Sequence, residues 1–226
     1  YKIKTFDIGA NYQDLTNWLM GGEFYGSINF GLGHNDYGDS PVAFRDSKKN
    51  ENTDGSHTVI SGALNYTQFF SDTSSITLEF SGQHGNKNLD SSEKFYLGGR
   101  RTVRAYPASE IGGTHGLLFK IDHNYTLTDT ITLNSFYDHG YVKQYKKDVN
   151  QLTNQALTIE GKSNDVTLRG YGFSLKYSGP YNTLFEFIWS DRIGSNPNRS
   201  DANMDNSNGE TARPMTWFSG SVNLYF

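Results

Sequence analysis

Nine segments of this chain alternate apolar and polar side chains with a period of two, and the connections between them alternate in length. The clearest segment is 75–84, where Ile76, Leu78 and Phe80 share one face and Thr77, Glu79, Ser81 and Gln83 the other. The segment 117–127 repeats the pattern, with Leu117, Phe119, Ile121, Tyr125 and Leu127 against Lys120, Asp122, Asn124 and Thr126. At the C-terminal end Phe218, Val222, Leu224 and Phe226 alternate with Ser219, Ser221, Asn223 and Tyr225. Weaker copies occupy about 3–12, 24–33, 58–70, 131–142, 166–177 and 183–191. Period two is the signature of a β-strand whose faces meet different surroundings, and no stretch holds a helical period. The connections 71–74, 128–130 and 178–182 are short and 13–23 is intermediate, while 34–57, 85–116, 143–165 and 192–215 are long and polar.

That strict order places every long connection at one end of the strands. A soluble sandwich has no reason to do so, whereas an outer-membrane barrel has short turns on one side and long loops on the other. Composition agrees: 35% of the 226 residues are hydrophobic and mean hydropathy is −0.64, yet there are 15 Phe, 15 Tyr, 3 Trp and 24 Gly. No apolar run reaches six residues, so a membrane-spanning helix of about 20 is excluded. A barrel strand needs apolar side chains on one face only, because a closed sheet satisfies its own backbone and the lumen tolerates charge. Aromatic residues near strand ends (Trp18, Phe69, Phe70, Trp189, Trp217 and Phe226) are predicted to form interfacial girdles. A soluble β-domain with an aromatic core is the competing reading, and the loop order disfavours it.

Several function classes fall away. There is no Cys, hence no disulfide, thiol nucleophile or cysteine-held metal. The formal charge of −4 lacks the basic stripe of a nucleic-acid binder. The six histidines stand singly, and Asp201, Asn203 and Asp205 open like a calcium loop but have Asn206 where Gly should turn the chain. No nucleophile elbow or phosphate-cradling loop occurs, so no catalytic residue, metal or cofactor is expected. Glu79, Asp122 and Glu186 are predicted to share a polar lumen with Lys120, Arg169 and Lys176. Nine strands is an odd number, and single-chain bacterial barrels have even ones. Either a strand within 143–165 escapes the pattern or the chain is the C-terminal part of a larger barrel, and with Tyr1 already entering a strand the second is expected.

The 85–116 connection contains Phe95-Tyr96-Leu97-Gly98-Gly99-Arg100-Arg101-Thr102-Val103-Arg104-Ala105-Tyr106-Pro107. It resembles the "F-x-L-G-G … V-R-G-Y/F" signature of the outer-membrane-protein-85 superfamily, above all the transporters of two-partner secretion. Phe136-Tyr137-Asp138-His139-Gly140-Tyr141-Val142 resembles that family's "F-x-D-x-G-x-V" strand, and Leu168-Arg169-Gly170-Tyr171-Gly172 its "L-x-G-x-G" strand. The terminal Phe226, in phase with Leu224 and Val222, is similar to the closing strand of outer-membrane proteins. The three motifs occur in order, and resemblance covers about 58–226.

The resemblance implies an all-β, antiparallel transmembrane barrel of sixteen strands, of which residues 1–226 supply about nine, without the upstream periplasmic domains. It implies that the signature loop folds into the lumen and locks there through Val103, Arg104 and Tyr106 against Phe136, Asp138 and Gly140, with Gly170 and Gly172 opening room on the wall. Alternation puts Ile131 and Leu133 on the lipid side and Thr132, Asn134, Phe136 and Asp138 on the lumen side, as such a lock needs. Ala105 replaces the family's Gly, which either strains the backbone if φ is positive or simply keeps the approach to the wall close. The implied function is export of an unfolded exoprotein of haemolysin, adhesin or haem-binding type by a monomer in the outer membrane of a Gram-negative bacterium. An assembly insertase of the same superfamily and a barrel anchoring a patatin-like lipase are alternatives; a diffusion porin is disfavoured by the signature loop.

Overall fold

A computed structural model describes residues 2–14, 22–38, 53–150, 155–158, 160–199 and 214–222. The strands are β1 (Lys2–Asp14), β2 (Gly22–Asp36), β3 (Gly55–Ser71), β4 (Ser74–Gly85), β5 (Phe95–Leu97), β6 (Ile111–Gly113), β7 (His115–Thr128), β8 (Ile131–Lys143), β9 (Asp165–Gly179), β10 (Thr183–Arg192) and β11 (Met215–Ser221). Nine of them form one sheet in the order β1-β2-β3-β4-β7-β8-β9-β10-β11, and β5 and β6 form a separate two-stranded ribbon. Every pairing in the large sheet is antiparallel between chain neighbours, skipping only the ribbon. All nine alternating segments therefore contain strands, the last of them described as far as Ser221. Among the described residues of 144–164 there is no further strand.

The sheet has one bare face and one covered face. On the bare face, cross-strand pairs such as Phe6 with Leu32, Leu64 with Phe80 and Leu133 with Leu175 leave large apolar side chains in the open. Phe6 is 64% exposed, Ile28 60% and Phe218 74%. A water-soluble monomer rarely shows an apolar surface that runs across a whole sheet. Hydrocarbon is the surrounding in which such a face needs no cover.

Short connections use tight turns. Between β9 and β10 the Thr183 amide donates to the Pro180 carbonyl at 3.1 Å, and the two central residues, Tyr181 and Asn182, have φ of 56° and 50°. That is a type I′ turn, whose twist matches the strands it joins.

The long segment between β4 and β7 lies back along the covered face. Asp90 caps its 3-10 turn (Ser91–Glu93) by accepting from the Ser92 amide at 3.0 Å, and the β5–β6 ribbon carries a tip at 98–110. Gly98 and Gly99 begin that tip with φ of 94° and 97°. A Cβ on Gly98 would come within 2.1 Å of the Pro107 carbonyl oxygen, so both conformation and space require glycine there. The core sits between tip and wall: Leu97, Val103, Ala105, Tyr106 and Ile111 pack with Leu118, Val142, Val166 and Leu168 from β7, β8 and β9.

Candidate functional site

The tip brings Arg104 to the middle of the covered face. Parity sets its partners. On β8 Asn134, Phe136, Asp138, Gly140 and Val142 are buried on the covered side while Leu133 and Ser135 are exposed on the bare side. On β7 the same alternation turns Leu118, Lys120 and Asp122 inward.

Arg104 meets two carboxylates. Its Nε donates to Asp138 Oδ2 at 2.9 Å and its Nη2 to Asp138 Oδ1 at 2.6 Å; Nη1 and Nη2 donate to Asp122 Oδ1 and Oδ2 at 2.7 and 3.1 Å. The Arg104 amide adds a bond to Asp138 Oδ2 at 2.9 Å. Two paired, planar contacts on one guanidinium form a geometry that Lys cannot supply. Its Cζ lies 3.4 Å from the centre of the Phe136 ring, a cation stacked on an aromatic face. Burial opposes the charge on Arg104, but the hydrogen bonds and charges of Asp138 and Asp122 outweigh it and hold the guanidinium above its ordinary pKa.

The glycines make this approach possible. A Cβ on Gly140 would fall within 2.6 Å of Leu97 and 2.9 Å of Val103, one on Gly170 within 2.5 Å of the Ala105 Cβ, and one on Gly172 within 2.7 Å of Phe136. Gly172 thus supports Phe136, and Phe136 supports Arg104. Ala105 is fully buried and has no positive φ, so at this position it is closeness to the wall that restricts side-chain size. Tyr106 is buried with Val103, and Arg192 Cζ lies 4.9 Å from the centre of its ring.

A charged cavity of about 530 Å³ lies beside the tip, lined by Glu79, Arg100, Arg101, Arg104, Lys120, Glu186 and Ile188. Lys120 donates to Glu79 at 2.9 Å, Arg100 pairs with Glu186, and Lys176 stands 3.7 Å from the same Glu186. Sequence reasoning assembled most of this set and misplaced one member. Arg169 lies on the bare side of β9, opposite in phase to Leu168 and Gly170. It also missed Asp122 as a partner of Arg104, although alternation alone turns Asp122 to the correct face.

The aromatic assignments divide similarly. Phe69 and Phe70 are exposed, and Trp189 lies on the bare side, stacked 5.3 Å from Phe173. Trp217 faces the other way, with Met215 and Ser219, and its indole donates to the Arg104 carbonyl at 2.8 Å. Trp18, Leu224 and Phe226 lie outside the described residues, as do Asp201, Asn203 and Asp205.

Residues 1–168, which include the tip and both of its carboxylate partners, match the family described as "Haemolysin secretion/activation protein ShlB/FhaC/HecB". The chain belongs to this family. The haemolysin secretion/activation proteins are two-partner secretion transporters of the outer-membrane-protein-85 superfamily, not enzymes. The chain is 30% identical over 130 residues to the heme/hemopexin transporter protein HuxB of Haemophilus influenzae, and 28% identical over 125 residues to its counterpart in strain 86-028NP. The first match covers 55% of this chain and 22% of the relative, so the chain spans about a fifth of that protein. In fold it is similar to CdiB from Escherichia coli, with a TM-score of 0.71 and 14% identity over 97% of this chain and 36% of that one. CdiB from Acinetobacter baumannii gives a TM-score of 0.59 and 18% identity over 85% and 30%. These likenesses show a shared antiparallel barrel-strand fold.

Proposed function

We propose that the chain is the C-terminal part of an outer-membrane barrel that exports one unfolded exoprotein of haemolysin, adhesin or haem-binding type. The bare face contacts the lipid of a Gram-negative outer membrane, the covered face lines the lumen, and one copy forms the channel. The observation that carries this reading is the burial of a loop guanidinium between two wall carboxylates.

The physics of the site suits a plug that holds and then yields. Ordering a segment of some thirty residues costs conformational entropy, and an apolar cluster with one charged anchor offsets it. The anchor is reversible because all its partners are hydrogen bonds and ion pairs rather than covalent links. No nucleotide site is invoked; export is driven by client folding on the far side. Secretion of the partner exoprotein by the full-length protein tests this. R104A and D138N should each lower secreted client while the heat-modifiable, folded barrel persists in the outer membrane. Normal secretion in both variants would overturn the role of the lock.

A further inference from the structure

The guanidinium explains one side of the tip only. The other side is held by its main chain. Arg104 and Ala105 present adjacent carbonyls away from Asp138, and three side chains from β10 and β11 donate to them. Ser190 Oγ reaches the Arg104 carbonyl at 2.9 Å, Trp217 Nε1 the same oxygen at 2.8 Å, and Arg192 Nε the Ala105 carbonyl at 3.0 Å. A carbonyl oxygen has two lone pairs, and that of Arg104 is filled by these two donors. Ser190 is fully buried and Arg104 nearly so, hence neither group has ready access to water as a substitute.

The donors lie on the far side of β9 from the carboxylates. Asp122 and Asp138 project from β7 and β8, whereas Ser190, Arg192 and Trp217 project from β10 and β11. Between them the tip crosses β9 at Gly170, where no side chain stands in the way. We propose that Ser190, Arg192 and Trp217 are positioning residues that clasp the tip's main chain. The loop is then a brace between β7–β8 and β10–β11, and its release is coupled to strand β11. This deepens the reading of the loop as a plug and rests on it for its biological meaning. The clasp itself is a matter of geometry.

Backbone contacts of this kind are insensitive to the identity of the loop residue. They also carry information in both directions: loosening the guanidinium moves the carbonyl that Trp217 reads, and loosening Trp217 frees the tip from β11. Trp217 differs in this respect from Trp189, whose ring lies on the bare side.

The test uses full-length protein labelled with 5-fluorotryptophan and studied by fluorine NMR in detergent, with no client present. The Trp217 resonance is assigned by its loss in W217F. R104A removes the guanidinium but keeps the carbonyl, and should shift or broaden the Trp217 signal while the Trp189 signal, an internal check on folding, stays in place. An unmoved Trp217 signal in folded R104A would overturn the brace. W217F/S190A approaches from the other side and strips both donors from the Arg104 carbonyl. Losing two hydrogen bonds should raise the open fraction of the channel in planar bilayers about tenfold, with S190T in the W217F background restoring part of the closure. Open fractions equal to the parent's would also refute it. If the resonance moves but secretion does not depend on Arg104, the clasp stands and the reading of the loop as a plug falls.

Discussion

The methyl group of Ala105 lies directly over Gly170, where a second methyl would come within 2.5 Å of it. The pair behaves as knob and notch, so the two positions should respond unequally to a change of one carbon. G170A pushes the tip off β9 and should destabilise loop seating by about 1–3 kcal/mol, in the range of other overpacked cores. A105G should be close to neutral for seating. Limited proteolysis of the 98–110 tip in the assembled protein measures both, and equal cleavage of G170A and parent would contradict the notch.

Within the lock, removing one partner leaves the others buried and unpaired. D138N takes away the carboxylate that receives the Arg104 amide, Nε and Nη2, and should cost about 3–5 kcal/mol. D122N leaves Asp138 in place to hold the cation, so its effect should be smaller. The order D138N above D122N is to be read from midpoints of heat-induced loop exposure; the reverse order would show that Asp122 carries the anchor.

Arg100 and Glu186 form a different kind of contact. The Arg100 side chain is 45% exposed, so solvent screens the pair. R100A should change loop exposure by no more than about 1 kcal/mol, and the difference from parent should shrink as salt rises toward 1 M. A large, salt-independent loss would place Arg100 within the lock itself.

The two faces of β4 offer a direct check on the surroundings of the sheet. Phe80 is exposed on the bare side and its neighbour Ser81 faces the cavity side. F80K should lower the yield of folded, membrane-inserted protein, since Lys at mid-bilayer on the lipid face of a barrel costs about 2–4 kcal/mol. S81K should assemble normally. Equal yields, measured by heat-modifiable migration of outer-membrane fractions, would remove the lipid assignment.

Strands were the legible part of this chain because alternation is imposed by the pleat itself, and each of the nine segments shows it. The anchor pair was legible through motif resemblance joined to parity, which turned Asp138 inward. Asp122 was equally inward by parity, but nothing in a sequence shows that a guanidinium on a loop reaches two strands at once. Trp217 was misjudged for the opposite reason: it was classed by its place near a strand end, although its phase with Ser219 already turned it away from Phe218. Arg169 was grouped by charge with the lumen set, whereas its position between Leu168 and Gly170 puts it on the opposite face. Ala105 could not be resolved from sequence, since a small residue at a turn serves either a left-handed backbone or a close contact, and only φ separates the two.

The tip brings three arginines into a space whose walls, among the described residues, hold Glu79, Asp122, Asp138 and Glu186 beside Lys120, Lys176 and Arg192. Withdrawal of the tip would therefore take three positive charges from this face and leave its carboxylates in the majority, four against three cations. On the proposed reading of this face as a lumen wall, the seated tip leaves cations in the majority there, and its departure should favour cations in the ionic current and stretches of polypeptide rich in lysine and arginine.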